Sequence, residues 1–193
     1  NDLRTLSLAD AGELSADFQP VDVNKLLSEI QSHYLVSFNQ KQIALDLEPD
    51  SVMLQANLDP VRFSQVLTNI LDNALRYTPE GGRVLISTKQ SGEQIEISIV
   101  DSGQGVTPEE AAHLFDRFYR ADPSRTRDSE AGGSGLGLAI AKSIVEMHKG
   151  KIWAESEKDN GLRIIIQLPV AKKVHQQADG LQKKGEASRN NEM

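Results

Sequence analysis

The feature that most constrains this sequence is an amphipathic helix predicted from Asp59 to about Thr78, which carries the segment Asn69–Pro79 (NILDNALRYTP). Asp59 is suited to cap the helix, and Pro60 to begin it. At about 100° per residue, the apolar residues fall in one arc: Phe63, Val66, Leu67, Ile70, Leu71 and Ala74. A separate arc carries amides and charges: Arg62, Gln65, Asn69, Asp72, Asn73 and Arg76. One face is therefore predicted to pack, and the other to meet solvent or a ligand.

Two asparagines on the polar face, Asn69 and Asn73, indicate that this face contacts a ligand rather than only solvent. A solvated helix face usually carries Glu and Lys, because Asn is a poor helix former. Two Asn four residues apart cost helix stability unless they bind something. An ordinary solvated face remains the alternative.

Two glycine-rich stretches follow along the chain. Asp101–Gly105 (DSGQG) comes directly after a predicted strand, so a carboxylate stands at the strand tip and two glycines allow close approach of a ligand. Such a carboxylate can accept a hydrogen bond from an exocyclic amine, such as that of adenine. Gly132–Leu138 (GGSGLGL) leads into a helix, whose free N–H groups suit phosphate. An ordinary turn and a flexible linker are the alternatives, and neither the Walker nor the Rossmann glycine pattern is present.

Composition excludes several classes of protein. The 193 residues carry a net charge of −7, which disfavours broad nucleic-acid binding. There is no cysteine, and hence no disulfide, thiolate metal site or thiol nucleophile. No apolar run approaches the roughly 18 residues of a membrane span. The chain starts without Met, so we expect a fragment or a processed chain.

Periodicity and turn signals predict the remaining elements. Phe18–Asp22 is interpreted as a connector, because Pro20 disfavours helix before it. Gly150 is interpreted as a left-handed helix cap, and His148 as a residue at a helix end, where a cation is favourable. A long polar loop is predicted over 116–134. The predicted helices span 23–38, 107–115 and 135–149, and the predicted strands 43–48, 52–56, 83–89, 94–100, 151–155 and 162–168.

Taken in order, these segments resemble the catalytic, ATP-binding domain of bacterial sensor histidine kinases. Asn69–Pro79 resembles the N box of that family, Asp101–Gly105 its G1 box, Phe115–Arg120 (FDRFYR) its F box and GGSGLGLAI its G2 box. The resemblance covers about residues 20–169. It implies a Bergerat-type α/β two-layer sandwich, in which a mixed sheet packs on helices, with a mobile ATP lid over residues 119–134.

The same resemblance implies an ATP and Mg²⁺ site. Asn73 would coordinate Mg²⁺ with support from Asn69, while Arg76 would contact phosphate. Tyr77 would lie beside the adenine, and Asp101 would accept its amino hydrogen. Arg120 would steady the transferred phosphate and is counted, with both asparagines and Arg76, as catalytic. The other implied nucleotide contacts are Gly103, Gly105, Gly133, Ser134, Gly135, Leu136, Gly137 and Leu138.

One position separates the activities of the wider superfamily. Gyrase-type, mismatch-repair and heat-shock-chaperone ATPases carry a water-activating Glu four residues before the magnesium asparagine, where this chain has Asn69. An amide cannot act as a base, so we expect poor hydrolysis and transfer to a histidine. Asp72 stays open as a carboxylate that could polarise the acceptor. The alternatives are a nucleotide-gated binding module without phosphotransfer and a gyrase- or chaperone-like ATPase.

The histidine that would accept the phosphate is expected outside this chain. No histidine stands in the family's acceptor box, and the four present are interpreted as structural or surface residues: His33, His113, His148 and His175. Residues 1–17 resemble the end of a dimerisation helix, 18–170 the catalytic domain, and 171–193 a disordered polar tail. The implied partners are the protein's own dimerisation and phosphoacceptor domain, as a homodimer, and a cognate response regulator. Nucleic acid and membrane contact are not expected of this soluble fragment, whose parent would be a membrane sensor with this part on the cytoplasmic side of the bacterial inner membrane.

Overall fold

A computed structural model describes residues 2–121, 134–156 and 161–171. The helices are α1 Asp2–Asp10, α2 Val23–Gln40, α3 Pro60–Tyr77, α4 Pro108–His113 and α5 Gly137–Met147. The strands are β1 Gln19–Asp22, β2 Ala44–Glu48, β3 Gln55–Leu58, β4 Arg83–Ser91, β5 Gln94–Asp101, β6 Lys151–Ser156 and β7 Leu162–Pro169. Five strands form one sheet in the order β2-β4-β5-β7-β6. Because β2 and β4 are parallel and the other pairs antiparallel, the sheet is mixed, as expected.

The core lies between one face of this sheet and the helices α2, α3 and α5. Alternate residues of β5 and β7 pair across the ladder on that face, as Ile95 with Leu168, Ile97 with Ile166 and Ile99 with Ile164. All six are at most 3% exposed. The predicted apolar arc of α3 is confirmed, since Phe63, Val66, Leu67, Ile70, Leu71 and Ala74 are all buried. The molecule is thus a two-layer α/β sandwich, and the polar face of α3 is left available for a site.

Helices α2, α3 and α4 begin within one residue of where the sequence predicts. The side chains of Asp22 and Asp59 accept hydrogen bonds from backbone N–H groups in the first turns of α2 and α3. Thr107 and Glu110 cap α4 reciprocally. The ends differ more: α4 ends at His113 rather than near residue 115, and α5 begins at Gly137 rather than at residue 135. Helix ends are set by local hydrogen bonds that periodicity does not resolve.

The predictions for the segments around β1 and β3 are wrong. The supposed connector contains β1, which pairs antiparallel with β3 in a separate two-stranded sheet. Pro20 is tolerated there because a strand with only one partner can turn a missing N–H away from the ladder. The strand predicted at 52–56 forms three residues later, at 55–58, and ends directly before the α3 cap Asp59. Pairing with a distant strand fixes this position, and no local pattern encodes it.

The predicted left-handed cap after α5 falls on the wrong residue. Lys149, with φ of 59°, takes the left-handed conformation, and Gly150 does not. Gly150 is needed for a different reason. A Cβ added to it would lie 2.6 Å from the carbonyl oxygen of Gln167 and 2.9 Å from a methyl carbon of Val145. The glycine therefore allows the chain leaving α5 to pass directly over β7.

His148 is a neutral core residue rather than a cation at a helix end. It is 3% exposed and lies between the rings of Phe18 and Phe63. Its Nε2 accepts a hydrogen bond from the backbone N–H of Asp59 at 3.0 Å, and its Nδ1 lies 2.7 Å from the carbonyl oxygen of Ile144. Nδ1 therefore carries the proton. Burial lowers the pKa of His148 below its usual value, which favours the neutral ring.

Helix α1 packs on α5, and its Leu6 is buried in the common core. The helix ends before Gly12, whose φ is 69°, and Asp10 pairs with Arg117 just after α4. Within the described part of the chain, no helix has the length and apolar character needed to cross a membrane. The described residues do not include most of the predicted lid or the polar tail from 172 onward.

Candidate nucleotide-binding site

An open cavity of about 850 Å³ lies beside the polar face of α3. Its walls also include the end of β5, the loop that follows β5, and the start of α5. Three sequence segments far apart in the chain therefore meet at one place. The cavity brings together twelve predicted site residues: Asn69, Asn73, Arg76, Tyr77, Asp101, Gly103, Gly105, Arg120, Ser134, Gly135, Gly137 and Leu138.

Two predicted residues are not placed in the cavity wall. Leu136 is 3% exposed and packs in the hydrophobic core, so its side chain anchors the start of α5 instead. Its backbone N–H donates to the hydroxyl of Ser134 at 3.3 Å. Gly133 lies outside the described residues.

The two asparagines of α3 occupy different environments. Asn69 Nδ2 donates a hydrogen bond to the carbonyl oxygen of Gly137 at 2.8 Å, which ties α3 to the first turn of α5. An added Cβ on Gly137 would lie 3.5 Å from the Asn69 amide carbon, in ordinary van der Waals contact with it. No hydrogen bond is found between the side chain of Asn73 and any other described residue. Asn69 thus shapes the site, while the Asn73 amide is available to a ligand.

Asp101 ends β5 at the floor of the cavity and is 8% exposed. Its Oδ1 accepts a hydrogen bond from the backbone N–H of Gly103 at 2.8 Å. Burial raises the pKa of this carboxyl group, and hydrogen bonds from the backbone oppose that rise. A side chain at Gly103 would meet Asp101 Oδ1 at 2.7 Å and the Tyr77 carbonyl oxygen at 2.9 Å. Glycine is therefore required for the loop to fold back over this acceptor.

The two ends of the predicted lid meet at the cavity rim. The backbone N–H of Phe118 donates to the carbonyl oxygen of Gly135 at 2.9 Å. Both residues have positive φ, 60° at Phe118 and 70° at Gly135. An added Cβ on Gly135 would lie 2.9 Å from the Phe118 Cα, so only glycine allows this contact. This pair, hereafter the lid neck, holds the residues on either side of the predicted lid next to each other.

A polar interaction between α2 and α3 lies beside the site. Tyr34 of α2 donates its hydroxyl hydrogen to Asp72 Oδ1 at 2.7 Å. Burial, and then this hydrogen bond, raise the pKa of Tyr34. Asp72 lines the cavity, so the bond from Tyr34 on α2 fixes the orientation of one carboxylate in the cavity wall. The helical spacing of Tyr34 signals only burial, and the partner on α3 is visible only in three dimensions.

The arrangement combines three kinds of binding group. A buried carboxylate with a raised pKa can accept from an amine, and an amide oxygen can bind a hard cation. The start of an eleven-residue helix presents N–H groups suited to phosphate. These features place the domain in the class of nucleotide-binding α/β sandwiches.

Comparison with known proteins identifies the family. Residues 58–172 match the family described as "Histidine kinase-, DNA gyrase B-, and HSP90-like ATPase". The chain is 39% identical over 171 residues to the signal transduction histidine-protein kinase BaeS of Escherichia coli, covering 88% of this chain and 36% of BaeS. It is 38% identical to the sensor histidine kinase WalK of Bacillus subtilis over 88% of this chain and 28% of WalK. The chain thus spans about a third of the length of these relatives.

Solved structures of histidine kinases share this fold. Full-length ShkA in complex with AMPPNP aligns with a TM-score of 0.78 and 26% identity, over 89% of this chain and 35% of ShkA. Histidine kinase ThkA in complex with the response regulator protein TrrA aligns with a TM-score of 0.70 and 25% identity, over 88% of this chain and 47% of ThkA. The chain belongs to the histidine kinase-, gyrase B- and HSP90-like ATPase family. Within it, this is a histidine kinase ATP-binding catalytic domain of the two-component type, as the sequence motifs predict.

Proposed function

We propose that this domain binds ATP with Mg²⁺ and transfers the γ-phosphoryl group to a histidine on the dimerisation and phosphoacceptor domain of its own protein. The observation that carries the proposal is the convergence of Asp101, Asn73 and the start of α5 on one cavity. In the transfer, the bond between the β,γ-bridging oxygen and the γ-phosphorus breaks, and a phosphorus–nitrogen bond to the acceptor imidazole forms. ADP leaves, and the imidazole N–H proton passes to a base. The phosphoryl group then moves to a response regulator.

Asp101 is the proposed adenine acceptor. Its carboxylate is buried, and one of its oxygens accepts from the Gly103 N–H, which orients the group. An exocyclic amine that donates to it would add a further hydrogen bond to those that the carboxylate accepts from the backbone of Gly103 and Leu162. Tyr77, half exposed at the same wall, would pack beside the base.

The residues present fit a magnesium ion bound together with phosphates. Mg²⁺ prefers oxygen ligands and is usually held by few protein groups plus substrate phosphates. Among the residues described, no cluster of three or more His, Asp or Glu side chains is placed to hold a metal alone. Asn73 would hold the ion through its amide oxygen, and the ion would neutralise phosphate charge. Arg76 and Arg120 line the same cavity and would add positive charge where phosphoryl transfer needs it.

Transfer is favoured over hydrolysis by the chemistry of Asn69. Its side chain is an amide, and its N–H hydrogens are directed to the Gly137 carbonyl. It therefore has no basic group with which to activate water. We propose that the parent is a dimeric sensor, with this domain on the cytoplasmic side of the inner membrane. Residues 1–17 would then contain the end of its dimerisation helix, in α1, and residues 18–170 would form the catalytic domain.

Isothermal titration with a nonhydrolysable ATP analogue, with and without Mg²⁺, tests the binding step. We expect saturable heat that Mg²⁺ strengthens, and Asn73→Ala should remove the magnesium-dependent part while Asn39→Ala, on exposed α2 surface, retains it. No heat at high protein concentration would refute the site.

The transfer step needs γ-labelled ATP and an acceptor-domain fragment supplied in trans. Label on the acceptor supports the kinase. Nucleotide binding without labelling would instead favour a nucleotide-gated binding module, and steady phosphate release without acceptor would favour a gyrase-like ATPase.

A further inference from the structure

Helix α3 ends in an unusual way directly beside the cavity. Its last α-helical hydrogen bond runs from the Thr78 N–H to the Ala74 carbonyl oxygen at 2.9 Å. The next acceptor, the carbonyl of Leu75, would pair with the N–H of residue 79, but Pro79 has none. Thr78 is extended, with φ of −79° and ψ of 128°, so the helix lacks a left-handed cap as well.

A cation from another element occupies this helix end. Lys41 Nζ lies 2.5 Å from the carbonyl oxygen of Leu75, 3.2 Å from that of Arg76 and 3.1 Å from that of Thr78. An ammonium group has three donors, which match these three acceptors. A positive charge is also favourable at the negative end of the helix dipole. Lys41 thus supplies the donor that Pro79 lacks.

The backbone that carries Lys41 is itself tied to the end of α3. The Lys41 N–H caps α2 by donating to the Phe38 carbonyl at 3.1 Å. On the other side, the Gly81 N–H donates to the carbonyl of Gln42 at 2.9 Å, and the Ala44 N–H to that of Gly82 at 3.0 Å. The turn after α2 and the turn after α3 therefore form one corner, which holds Lys41 in register with its three acceptors.

This corner is continuous with the cavity wall. Arg76 and Tyr77, in the last turn of α3, both line the cavity. The Tyr77 carbonyl packs on Gly103, where an added Cβ would approach it to 2.9 Å. A shift of the last turn of α3 would therefore move two cavity side chains and press on the loop that follows Asp101.

We propose that Lys41 is a positioning residue for the nucleotide. From outside the cavity, its ammonium group holds the last turn of α3 so that Arg76 and Tyr77 meet the ligand in a fixed geometry. The inference rests on the proposed function, because it concerns nucleotide affinity.

The test compares the full chain with three variants, by titration with a nonhydrolysable ATP analogue well below the melting temperature. Lys41→Met keeps an unbranched stem of four heavy atoms but removes the ammonium, and we expect it to raise the Kd about three- to tenfold. Lys41→Arg keeps the cation and should restore most of the affinity. Lys25→Met, on the exposed surface of α2 where Lys25 lies 4.0 Å from Glu29, is the matched control and should leave the Kd unchanged.

Hydrogen exchange gives a readout that does not depend on ligand. In Lys41→Met the Thr78 amide, bonded to Ala74, should exchange faster, while the Phe63 amide at the opposite end of α3 should not change. A lower melting temperature with unchanged Kd would overturn the proposal, leaving a purely structural lysine. Failure of the unaltered chain to bind would overturn both the proposed function and this inference.

Discussion

The side-chain amide of Asn69 donates a hydrogen bond to the carbonyl oxygen of Gly137 at 2.8 Å, so α3 and the start of α5 are joined through one side chain. Asn73, one turn further along, contributes no such link to the described structure. Two asparagines that look equivalent in the sequence therefore have separable roles: Asn69 joins α3 to α5, and Asn73 is the proposed ligand of Mg²⁺.

This difference predicts unequal effects on stability. Asn69→Asp replaces the donor with a carboxylate that faces a carbonyl oxygen, and we expect the free energy of unfolding to fall by about 1–3 kcal/mol. Asn73→Asp is the matched variant and should change it by less than about 0.5 kcal/mol. Urea denaturation of both variants without nucleotide measures the difference. Equal losses of unfolding free energy in the two variants would contradict the separate roles assigned to Asn69 and Asn73.

Asp101 should control the choice of base. Asp101→Asn keeps an oxygen that can accept from the Gly103 N–H but removes the charge that would bind an amine. Because hydrogen bonds to charged groups contribute about 1.5–3 kcal/mol, we expect affinity for an ATP analogue to fall by tenfold or more. An inosine analogue, which has a carbonyl in place of the amine, should bind the unaltered domain weakly and lose little more in the variant. Parallel losses for both nucleotides would place the base elsewhere.

The position of His148 makes stability depend on pH. Because its folded pKa is lowered, the unfolded chain binds a proton first as the pH falls below about 6.5. The stabilisation is therefore complete above that pH and declines below it, by at most about 1.4 kcal/mol per pH unit for one proton. Urea denaturation between pH 7.5 and 5.5 measures the slope. His148→Phe should flatten it, and His33→Gln, on the exposed surface of α2, should not.

Gly150 is predicted not to tolerate any side chain, because neighbouring atoms fill the space beside it. Gly150→Ala places a methyl group 2.6 Å from the backbone oxygen of Gln167, which cannot move without disturbing β7. We expect a loss of about 1–3 kcal/mol, typical of overpacking. Gly12→Ala is the control, since an added Cβ there meets nothing within 4 Å and only the positive φ of 69° opposes it. Thermal denaturation ranks the two variants, and a larger loss at Gly12 would contradict the steric argument.

Features of the fold that depend on local sequence patterns are predicted correctly. The apolar arc of α3 and its cap Asp59 depend on neighbours a few residues away, and the structure confirms both. The gathering of the glycine-rich segments around the polar face of α3 was expected from the family resemblance, and the cavity contains most of the residues named.

The remaining features depend on contacts between distant segments. The pairing of β1 with β3 is decided across more than thirty residues, so a proline-containing segment was interpreted as a connector. The protonation of His148 depends on Asp59 and two phenyl rings from other elements. Lys41 was not singled out at all, because a lysine on a polar surface carries no periodic signal.

The lid neck also bears on how variants of this domain arise. With Phe118 and Gly135 joined at the rim, the intervening segment begins and ends at fixed points. The entropic cost of closing a loop between two fixed ends grows slowly with its length, by about 0.6 kcal/mol for each doubling. Insertions, deletions or whole replacements between these two residues should therefore leave the fold largely unaffected. Because of the lid neck, this segment can change in length and sequence without changes in the rest of the domain.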